Sequence, residues 1–385
     1  MTASARAEIV VDVAAIRHNV RRLRQLVTRP DGAAPACMAV VKADGYGHGM
    51  VPVAKAAREA GADWLGVATL EEAVALRDAG DTGPLLAWLA VPGEDHAPAL
   101  ERDVDVASYS LTQLTAIADA ARRTGRTARV HLKIDTGLSR GGATRDDWPA
   151  LVDASAALET TGAVEVVGIW SHLVASDEPD RTINDEQEQR FRDAASVAEA
   201  AGLRPRWRHL ANSAAGLLRP SAHFDMVRFG IATYGLDPAP GETHDLGLVP
   251  AMTVQARLGM VKQVRAGDGV SYGHQWVADR DTLLGLVPAG YAEGIARAAG
   301  NRAEVWADDA RRPVRGRICM DQFMIDLGPD STLAAGDRVE LFGTGHDGAP
   351  TAQDWAEACH TINYEIVTRI GGRFARVYVD SEVTQ

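Results

Sequence analysis

The sequence contains few cysteines and no long hydrophobic segment, and each shortage excludes a class of protein. Its three cysteines, Cys37, Cys319 and Cys359, are an odd number without metal-ligand spacing, which predicts reduced thiols rather than a disulfide framework or a zinc site. No segment reaches the ~20 apolar residues of a spanning helix, and the N-terminus lacks the pattern of a signal peptide. We therefore expect a cytoplasmic protein with no membrane partner and no bound metal.

Positive charge is also scarce. The 385 residues include 40 Lys and Arg against 52 Asp and Glu, which gives a formal net charge of −12. Such a surface repels phosphate backbones, so nucleic acid is not expected as a partner. The hydrophobic content of 46% is ample for a sizeable core, and the length favours two domains.

Lysine is rare enough that the position of each lysine is informative. Only four occur, Lys42, Lys55, Lys133 and Lys262. Lys55 falls in a helical pattern and Lys262 in a strand pattern, where a surface role is expected. Lys42 and Lys133 instead end the apolar runs MAVVK and RVHLK, where a buried ammonium is costly unless its pKa falls or its charge is used. Both are therefore candidate functional residues.

Short apolar runs alternate with helical patterns between about residues 36 and 236. Eight runs occur, namely CMAVVK, WLGVAT, LLAWLA, VDVASY, RVHLKI, EVVGIWSH, RWRHLA and FDMVRFG. The stretches between most of them have helical periodicity and end at glycine, as helices often do. This alternation predicts an α/β fold, a (β/α)8 TIM barrel over residues 10–242.

A different pattern begins at about residue 245. Strand-like runs are separated by the turn sequences AGDG, DLGPD and GTGHDG, with one late helix near TAQDWAEAC. This predicts a mainly β domain after the barrel. The strand pattern in AEIVVDV precedes the first barrel helix, so we expect the first few residues to pair with the C-terminal sheet. The predicted second domain comprises residues 1–9 and 243–385.

Polar residues follow several of the predicted barrel strands. Catalytic groups of such barrels gather at the C-terminal ends of the strands, where the βα loops share one mouth. The residues at these ends are Lys42, Lys133, Arg140, His172, His209, Asn212, Ser213 and Arg228. Each alone has an ordinary structural explanation, but their joint placement predicts an active site.

Two of these features together indicate a cofactor. Lys42 precedes the glycine-rich turn ADGYGHG, and in a dry pocket its amine becomes a nucleophile able to form a Schiff base. Gly230 and Ile231 offer backbone N–H groups near Ser213, at the end of the barrel where phosphate is commonly bound. A Schiff-base lysine beside a phosphate site predicts pyridoxal 5'-phosphate.

The order and spacing of eight motifs resemble those of the alanine racemase family. They are VVKADGYGHG, HLKIDTGLSRGG, NSAAG, VRFGIATYGL, VSYG, GYAEG, GRICMDQ and INYE, and they span residues 40–365. The resemblance implies a pyridoxal-phosphate-dependent racemase of fold type III that acts on a small amino acid. It further implies that L- and D-alanine are interconverted to supply D-alanine for peptidoglycan, by a homodimer with shared active sites.

The resemblance also implies roles for the matching residues. Lys42 carries the cofactor, and Tyr272 is supplied to the partner subunit as the base on the opposite face. The cofactor set is Lys42, Tyr46, Arg140, His172, Asn212, Ser213, Arg228, Gly230, Ile231 and Tyr364. The substrate set is Arg140, Tyr291, Met320 and Asp321, with Asp177, Arg297, Arg317 and Ile362 at the outer entrance.

Arg228 and Lys133 carry the most specific implications. Arg228 faces the pyridine nitrogen, and because a guanidinium stays protonated, the cofactor is a restrained electron sink. Lys133 matches a lysine that is often carbamylated in the family, which turns a buried cation into an anion able to hold Arg140. Since an ordinary tyrosine has a pKa of about 10, Tyr272 needs a hydrogen-bond chain through His172 to Arg228 to act as a base.

Alternative functions stay open at this point. A broader racemase that accepts serine is one, because positions near the entrance depart from the family pattern, such as Glu293 where the family has Asp. A barrel decarboxylase of basic amino acids places an acid where this sequence has Arg228. A non-catalytic pyridoxal-phosphate-binding protein resembles the barrel alone. A protein with a decayed site is disfavoured by the joint presence of Lys42, Arg228 and Tyr272.

Overall fold

The computed structural model describes residues 5–381, so residues 1–4 and 382–385 of the predicted second domain lie outside the described part. The described chain begins with strand β1 (Ala7–Asp12) and helix α1 (Val13–Val27). Asp12 caps this helix, because its side chain accepts a hydrogen bond from the backbone N–H of Ala14 at 2.9 Å.

Eight parallel strands follow and form one sheet. They are β2 (Ala36–Val40), β3 (Trp64–Val67), β4 (Leu85–Ala87), β5 (Asp105–Ser108), β6 (Ala128–Lys133), β7 (Val164–Trp170), β8 (Trp207–His209) and β9 (Met226–Phe229). Their order in the sheet is β8-β7-β6-β5-β4-β3-β2-β9. Backbone hydrogen bonds from Asp225 to Arg208 and from Arg228 to Ala211 link the two ends, so the sheet curves into a nearly closed barrel.

Helical segments connect these strands on the outside of the barrel or at its mouth. They are α2 (Lys42–Tyr46), α3 (Met50–Glu59), α4 (Leu70–Asp78), α5 (Ala97–Glu101), α6 (Leu111–Thr124), α7 (Trp148–Thr160), α8 (Ile183–Ala200) and α9 (Ser213–Leu218). Each of the eight apolar runs overlaps one barrel strand. The predicted (β/α)8 barrel is confirmed.

The rest of the chain is mainly β. Its strands are β10 (Met252–Arg257), β11 (Met260–Val264), β12 (Gly269–Val270), β13 (Trp276–Val277), β14 (Thr282–Val287), β15 (Glu304–Ala307), β16 (Ala310–Arg315), β17 (Phe323–Gly328), β18 (Arg338–Phe342) and β19 (Ala375–Val379). Nine strands form a sheet in the order β11-β14-β17-β16-β15-β18-β10-β1-β19, and β12 and β13 form a separate ribbon. β1 pairs with β10 and β19, which confirms that the N-terminal strand joins the C-terminal sheet.

Two helices follow β18, α10 (Ala352–Cys359) and α11 (Asn363–Arg369). The first confirms the predicted late helix. The prediction of a single late helix was wrong, because α11 has only seven residues and is too short to show helical periodicity. Among residues 5–381, no helix is long and apolar enough to cross a membrane.

Asn19 joins helix α1 to the segments that connect the two sheets. It is fully buried, and its amide nitrogen donates to the carbonyl oxygens of Thr233 at 3.2 Å and Val249 at 2.8 Å. Its amide oxygen accepts from the backbone N–H of Val249 at 2.8 Å. Replacing this side chain by an apolar one would remove the hydrogen-bond partner of buried or half-buried backbone groups in both segments.

We expect Asn19→Ala to lower the free energy of unfolding by about 3 kcal/mol, since it removes the three hydrogen bonds of a buried side chain and leaves a small cavity. Urea denaturation followed by circular dichroism measures this. The control is Gln25→Ala, on the exposed face of the same helix, which should change stability by less than about 0.5 kcal/mol. Equal effects of the two substitutions would contradict the role given to Asn19.

Candidate active site

Lys42 sits at the start of a left-handed turn that follows strand β2. Four consecutive residues after it, Ala43, Asp44, Gly45 and Tyr46, have φ between 50° and 62°. Such a conformation costs roughly 1–2 kcal/mol for each residue with a Cβ, so it persists only where surrounding contacts enforce it.

Two hydrogen bonds and one close backbone contact enforce the conformation of the turn. The backbone N–H of Ala43 donates to Glu72 at 2.6 Å, and the Asp44 carboxylate accepts from the backbone N–H of Met50 at 2.9 Å. Gly47, which ends the turn at φ 81°, packs so closely on helix α11 that a Cβ would lie 2.3 Å from the carbonyl oxygen of Val367. The glycine-rich sequence thus fixes the direction of Lys42. It also packs the turn against the mainly β part of the chain that contains the nine-stranded sheet, which we call the second sheet unit.

A cavity of about 460 Å³ opens at the C-terminal ends of the barrel strands. The described residues that line it are Val40, Lys42, Ala43, Tyr46, Trp88, Lys133, Arg140, Trp170, His172, Asn212, Ser213, Arg228, Gly230, Ile231, Tyr364 and Thr368. All ten residues of the cofactor set are among them, together with Lys133. Four of the lining side chains are Lys or Arg, and none of those lining residues is Asp or Glu. The cavity is therefore suited to an anionic ligand.

Burial and mutual repulsion act on the two lysines of this cavity. Burial lowers the pKa of Lys42 below its ordinary value, and the nearby Arg140 lowers it further. Burial lowers the pKa of Lys133 to about 8, and Arg228 and Arg140 contribute to the decrease. Both amines are thus closer to their neutral, nucleophilic form than a surface lysine.

Two tryptophans in the cavity were not predicted from the sequence. Nζ of Lys133 lies 4.3 Å from the centre of the Trp170 ring, and Nζ of Lys42 lies 5.9 Å from the centre of the Trp88 ring. Such contacts stabilise a cation, since the ring face is electronegative. Both residues occur within apolar runs that were identified as strands. The pattern of a buried strand does not show whether one of its side chains lines a cavity or packs in the core.

Arg228 is held at the floor of the cavity by backbone carbonyls and two imidazoles. Its guanidinium donates to the carbonyl oxygens of His209 and Ser171, both at 2.9 Å. It also lies 3.2 Å from Nδ1 of His172 and 3.3 Å from Nδ1 of His209. Burial lowers the pKa of Arg228 to about 9, and burial together with Arg228 lowers the pKa of His172 well below its usual range. At neutral pH the arginine is charged and His172 is neutral.

Ser213, Gly230 and Tyr46 form a small polar pocket in one wall of the cavity. The hydroxyl of Ser213 accepts a hydrogen bond from the backbone N–H of Gly230 at 2.8 Å. A Cβ at Gly230 would lie 2.5 Å from the Tyr46 hydroxyl, so only glycine permits this approach. Asn212, predicted to bind cofactor, caps helix α9 by accepting from Ala215 and donates to Ser176 at 2.8 Å.

The structure does not bring Tyr272, Tyr291, Met320 or Asp321 to this cavity. They lie in loops of the second sheet unit, where Tyr272 is 71% exposed, Met320 54% and Tyr291 44%. Hydrogen bonds join these loops: Tyr291 N–H donates to Cys319 O at 3.1 Å, and the Ser271 hydroxyl donates to Arg317 O at 2.7 Å. Three of the four residues placed at the outer entrance, Asp177, Arg297 and Ile362, are likewise exposed, and Arg317 is half-buried.

Asp321 is tethered by residues that were not assigned a site role. Arg373 donates to the Asp321 carboxylate at 2.5 Å and also contacts the buried carboxylate of Glu293. Glu293 in turn accepts from the backbone N–H of Gly290 at 2.8 Å. Glu293 thus fixes the loop that carries Tyr291 and, through Arg373, the position of Asp321.

The fold and the cavity together define a barrel protein with a buried lysine of lowered pKa in a cavity suited to an anionic ligand. Two sequence-family profiles match the chain, "Alanine racemase, N-terminal domain" over residues 11–238 and "Alanine racemase, C-terminal domain" over residues 251–378. The chain belongs to the alanine racemase family.

Individual relatives cover nearly the whole chain. An alanine racemase of Salinispora tropica is 55% identical over 373 residues, which are 97% of this chain and 98% of that protein. The crystal structure of alanine racemase from D-cycloserine-producing Streptomyces lavendulae superposes with a TM-score of 0.95 at 49% identity, covering 98% of both chains. That of alanine racemase from Bartonella henselae with covalently bound pyridoxal phosphate has a TM-score of 0.86 at 28% identity, covering 97% of this chain and 100% of that one.

Proposed function

We propose that this protein interconverts L- and D-alanine with pyridoxal 5'-phosphate and thereby supplies D-alanine for peptidoglycan. The single observation that carries the proposal is the cavity lined by four cationic side chains, with Lys42 among them, in a chain of the alanine racemase family. A serine-accepting racemase, a decarboxylase and a non-catalytic binding protein are not favoured, because the relatives that match over the whole chain are alanine racemases.

The residues of the cavity fit this cofactor. The pocket of Tyr46, Ser213 and Gly230 offers the hydroxyls of Tyr46 and Ser213 as donors for a phosphate, with Ile231 and Tyr364 beside it. Lys42, with its lowered pKa, is the amine that would bind the cofactor carbonyl. The excess of positive charge in the cavity would be offset by the phosphate and the phenolic oxygen of the cofactor.

Arg228 and His172 prepare the site electrostatically. Arg228 is held by carbonyls and stays protonated at neutral pH. It would donate a hydrogen bond to the pyridine nitrogen without giving up its proton, and that nitrogen would stay unprotonated. The cofactor supplies an electron sink for the charge left when the α-proton of the amino acid is removed. Because His172 accepts from Arg228 through Nδ1, its Nε2 carries a proton and can donate to the phenol oxygen of a tyrosine.

Racemisation needs one proton acceptor on each face of the α-carbon. A single side chain cannot easily reach both faces of a planar carbanion, so two bases are required. We assign these roles to Lys42 and to Tyr272 of the partner subunit: one removes the α-proton and the other delivers a proton to the opposite face. Arg140, Tyr291, Met320 and Asp321 are assigned to substrate binding.

The exposure of Tyr272 supports a shared site. The loops that carry Tyr272, Tyr291 and Met320 form one exposed surface in the single chain, which a second copy would cover. A homodimer that places this surface over the partner's cavity would bring both bases to each site. In this proposal residues 10–242 form the cofactor-binding domain, and residues 1–9 with 243–385 form the domain that supplies Tyr272.

Lys133 has a separate proposed role. It is buried among Arg228, Arg140 and Lys42, and its pKa of about 8 leaves a neutral amine fraction near neutral pH. We assign it as a carbamate: the amine nitrogen bonds to the carbon of carbon dioxide, and one proton is released to solvent. The product is an anion within reach of the two arginines, which would hold Arg140 for the phenolic oxygen of the cofactor.

The reaction is tested by incubating the holoenzyme with L-alanine, L-serine and L-lysine and separating the products by chiral chromatography. We expect alanine to become racemic, with serine much slower and no carbon dioxide released from lysine. Lys42→Ala and Tyr272→Phe should each lower kcat by at least about 1,000-fold, since each removes one of the two bases. Near-normal activity in either variant would contradict its assignment.

The shared site is tested by mixing the two inactive variants. A hybrid of one Lys42→Ala and one Tyr272→Phe subunit contains one intact site, so an equal mixture, once its subunits have exchanged, should recover about a quarter of wild-type activity. Lys42→Ala mixed with itself is the control. No recovery despite subunit exchange, demonstrated with fluorescently labelled subunits, would place both bases in the same chain.

The carbamate is tested by ¹³C NMR of the holoenzyme in dissolved ¹³CO₂. We expect a carbamate resonance that grows as the pH rises through about 8 at constant dissolved carbon dioxide, because only the neutral amine of Lys133 reacts. Lys133→Met should abolish the resonance, whereas Lys55→Met, at an exposed lysine, should not change it. A resonance that survives in Lys133→Met would show that another amine reacts.

A further inference from the structure

A row of buried polar side chains runs from Arg228 into the barrel core, away from the cavity. Nη1 of Arg228 lies 3.3 Å from Nδ1 of His209, and Nε2 of His209 lies 2.9 Å from Nδ1 of His131. Nε2 of His131 lies 3.3 Å from Oδ2 of Asp105. None of the four is more than 5% exposed. Polar groups in such surroundings are costly unless each is paired, so the row calls for an explanation.

The direction of every hydrogen bond in this row is fixed from its two ends. An arginine only donates, so Nδ1 of His209 accepts and the proton of this imidazole is on Nε2. That proton is donated to Nδ1 of His131, which therefore carries its own proton on Nε2 and donates it to the carboxylate of Asp105. The pattern assigns one neutral tautomer to each imidazole.

The barrel is shaped to hold these rings. A Cβ at Gly168 on the neighbouring strand β7 would lie 2.2 Å from Nδ1 of His131, so glycine alone leaves room for the ring. The pairing of β6 with β7 shifts register between Val130 and His131, and such irregularities redirect a side chain. The Trp170 ring stacks on His209 at 5.6 Å with an interplanar angle of 3°. The two imidazoles have little freedom to turn.

We propose that Asp105 and His131 are positioning residues for Arg228. Asp105, an acceptor when ionised, orients the row of hydrogen bonds, so that Nδ1 of His209 accepts from the guanidinium and holds Arg228 in place for the bound cofactor. Neither Asp105 nor His131 lines the cavity, so both act through His209. This inference rests on the role given to Arg228 in the proposed function.

Replacing the Asp105 carboxylate by an amide would leave the direction of this row of hydrogen bonds undetermined. If the acceptor beside His131 could also donate, His131 and His209 could reverse their tautomers. Nδ1–H of His209 would then face the N–H of Arg228, two donors in contact, and the guanidinium would leave its position. Substrate binding, which depends on other residues, would be affected less than turnover.

Asp105→Asn and Asp103→Asn form a matched pair for the test. Both carboxylates lie near Arg129, Asp105 at 2.6 Å and Asp103 at 3.9 Å, but only Asp105 contacts His131. We expect Asp105→Asn to lower kcat for alanine about tenfold with KM within about twofold, and Asp103→Asn to leave both within about twofold. Equal effects of the two substitutions would reduce Asp105 to a structural partner of Arg129 and overturn the proposal.

A second pair of variants separates positioning from folding. His131→Asn keeps an acceptor near the position of Nδ1, whereas His131→Leu removes it. His131→Leu should lose about tenfold in kcat, and His131→Asn should recover most of that loss. If His131→Leu does not fold, the pair Asp105→Asn and Asp103→Asn still decides the question.

The readout independent of activity is ¹⁵N NMR of the holoenzyme labelled at histidine, which distinguishes the two neutral tautomers. In the wild type we expect His209 as the Nε2–H tautomer, and in Asp105→Asn a mixture of both. A wild-type His209 protonated on Nδ1 would overturn the proposal. If the wild type racemises no amino acid, the proposed function fails, while the tautomer of His209 still decides the direction of the row.

Discussion

The arrangement of the site depends on one electrostatic constraint, the collection of four cationic side chains around a cavity that no described carboxylate lines. Lys42, Lys133, Arg140 and Arg228 repel one another, and burial adds to the cost of the charges on Lys42, Lys133 and Arg228. The response of the two lysines differs from that of Arg228. The lysines have lowered pKa values and become nucleophilic, whereas Arg228 stays charged and is stabilised by carbonyl oxygens. A ligand with several negative charges is the natural complement of such a cavity.

Backbone strain marks both residues proposed as bases. The turn after Lys42 is left-handed, and Tyr272 follows Ser271, whose φ is 62°. Strained conformations are kept where surrounding contacts enforce them, and around Lys42 those contacts come from Glu72, Asp44 and helix α11. The flexible side chain of Lys42 is thereby carried on a rigid support. Helix α11 also contributes Tyr364 to the cavity, so the second sheet unit takes part in the site even within one chain.

The barrel core serves the site as well as the fold. Apolar residues fill most of it, but His209, His131 and Asp105 form a polar row behind Arg228. Polar residues in a barrel interior reduce the apolar area that stabilises the fold. Gly168 makes room for the ring of His131, so the barrel accommodates this polar residue where an apolar one would pack, which indicates a role beyond packing. Glu293 and Arg373 support the loops of the substrate set in a similar, indirect way.

The sequence by itself determined the barrel, the mainly β unit and the position of β1 in the C-terminal sheet, and with the family resemblance it identified ten residues that line the cavity. It could do so because strand and helix periodicities are local, and because residues at the ends of parallel strands must meet.

The sequence did not reveal helix α11, the two tryptophans that line the cavity, the ion pair that holds Asp321 to Arg373 or the row of polar residues behind Arg228. Each of these depends on contacts between segments far apart in the chain. His131 and Asp105 lie in ordinary strand patterns, and only the closed barrel turns their side chains toward the same axis as His209. The tertiary structure also decided that Tyr272 is exposed and does not line the cavity of its own chain, because exposure depends on how distant segments pack and not on local sequence.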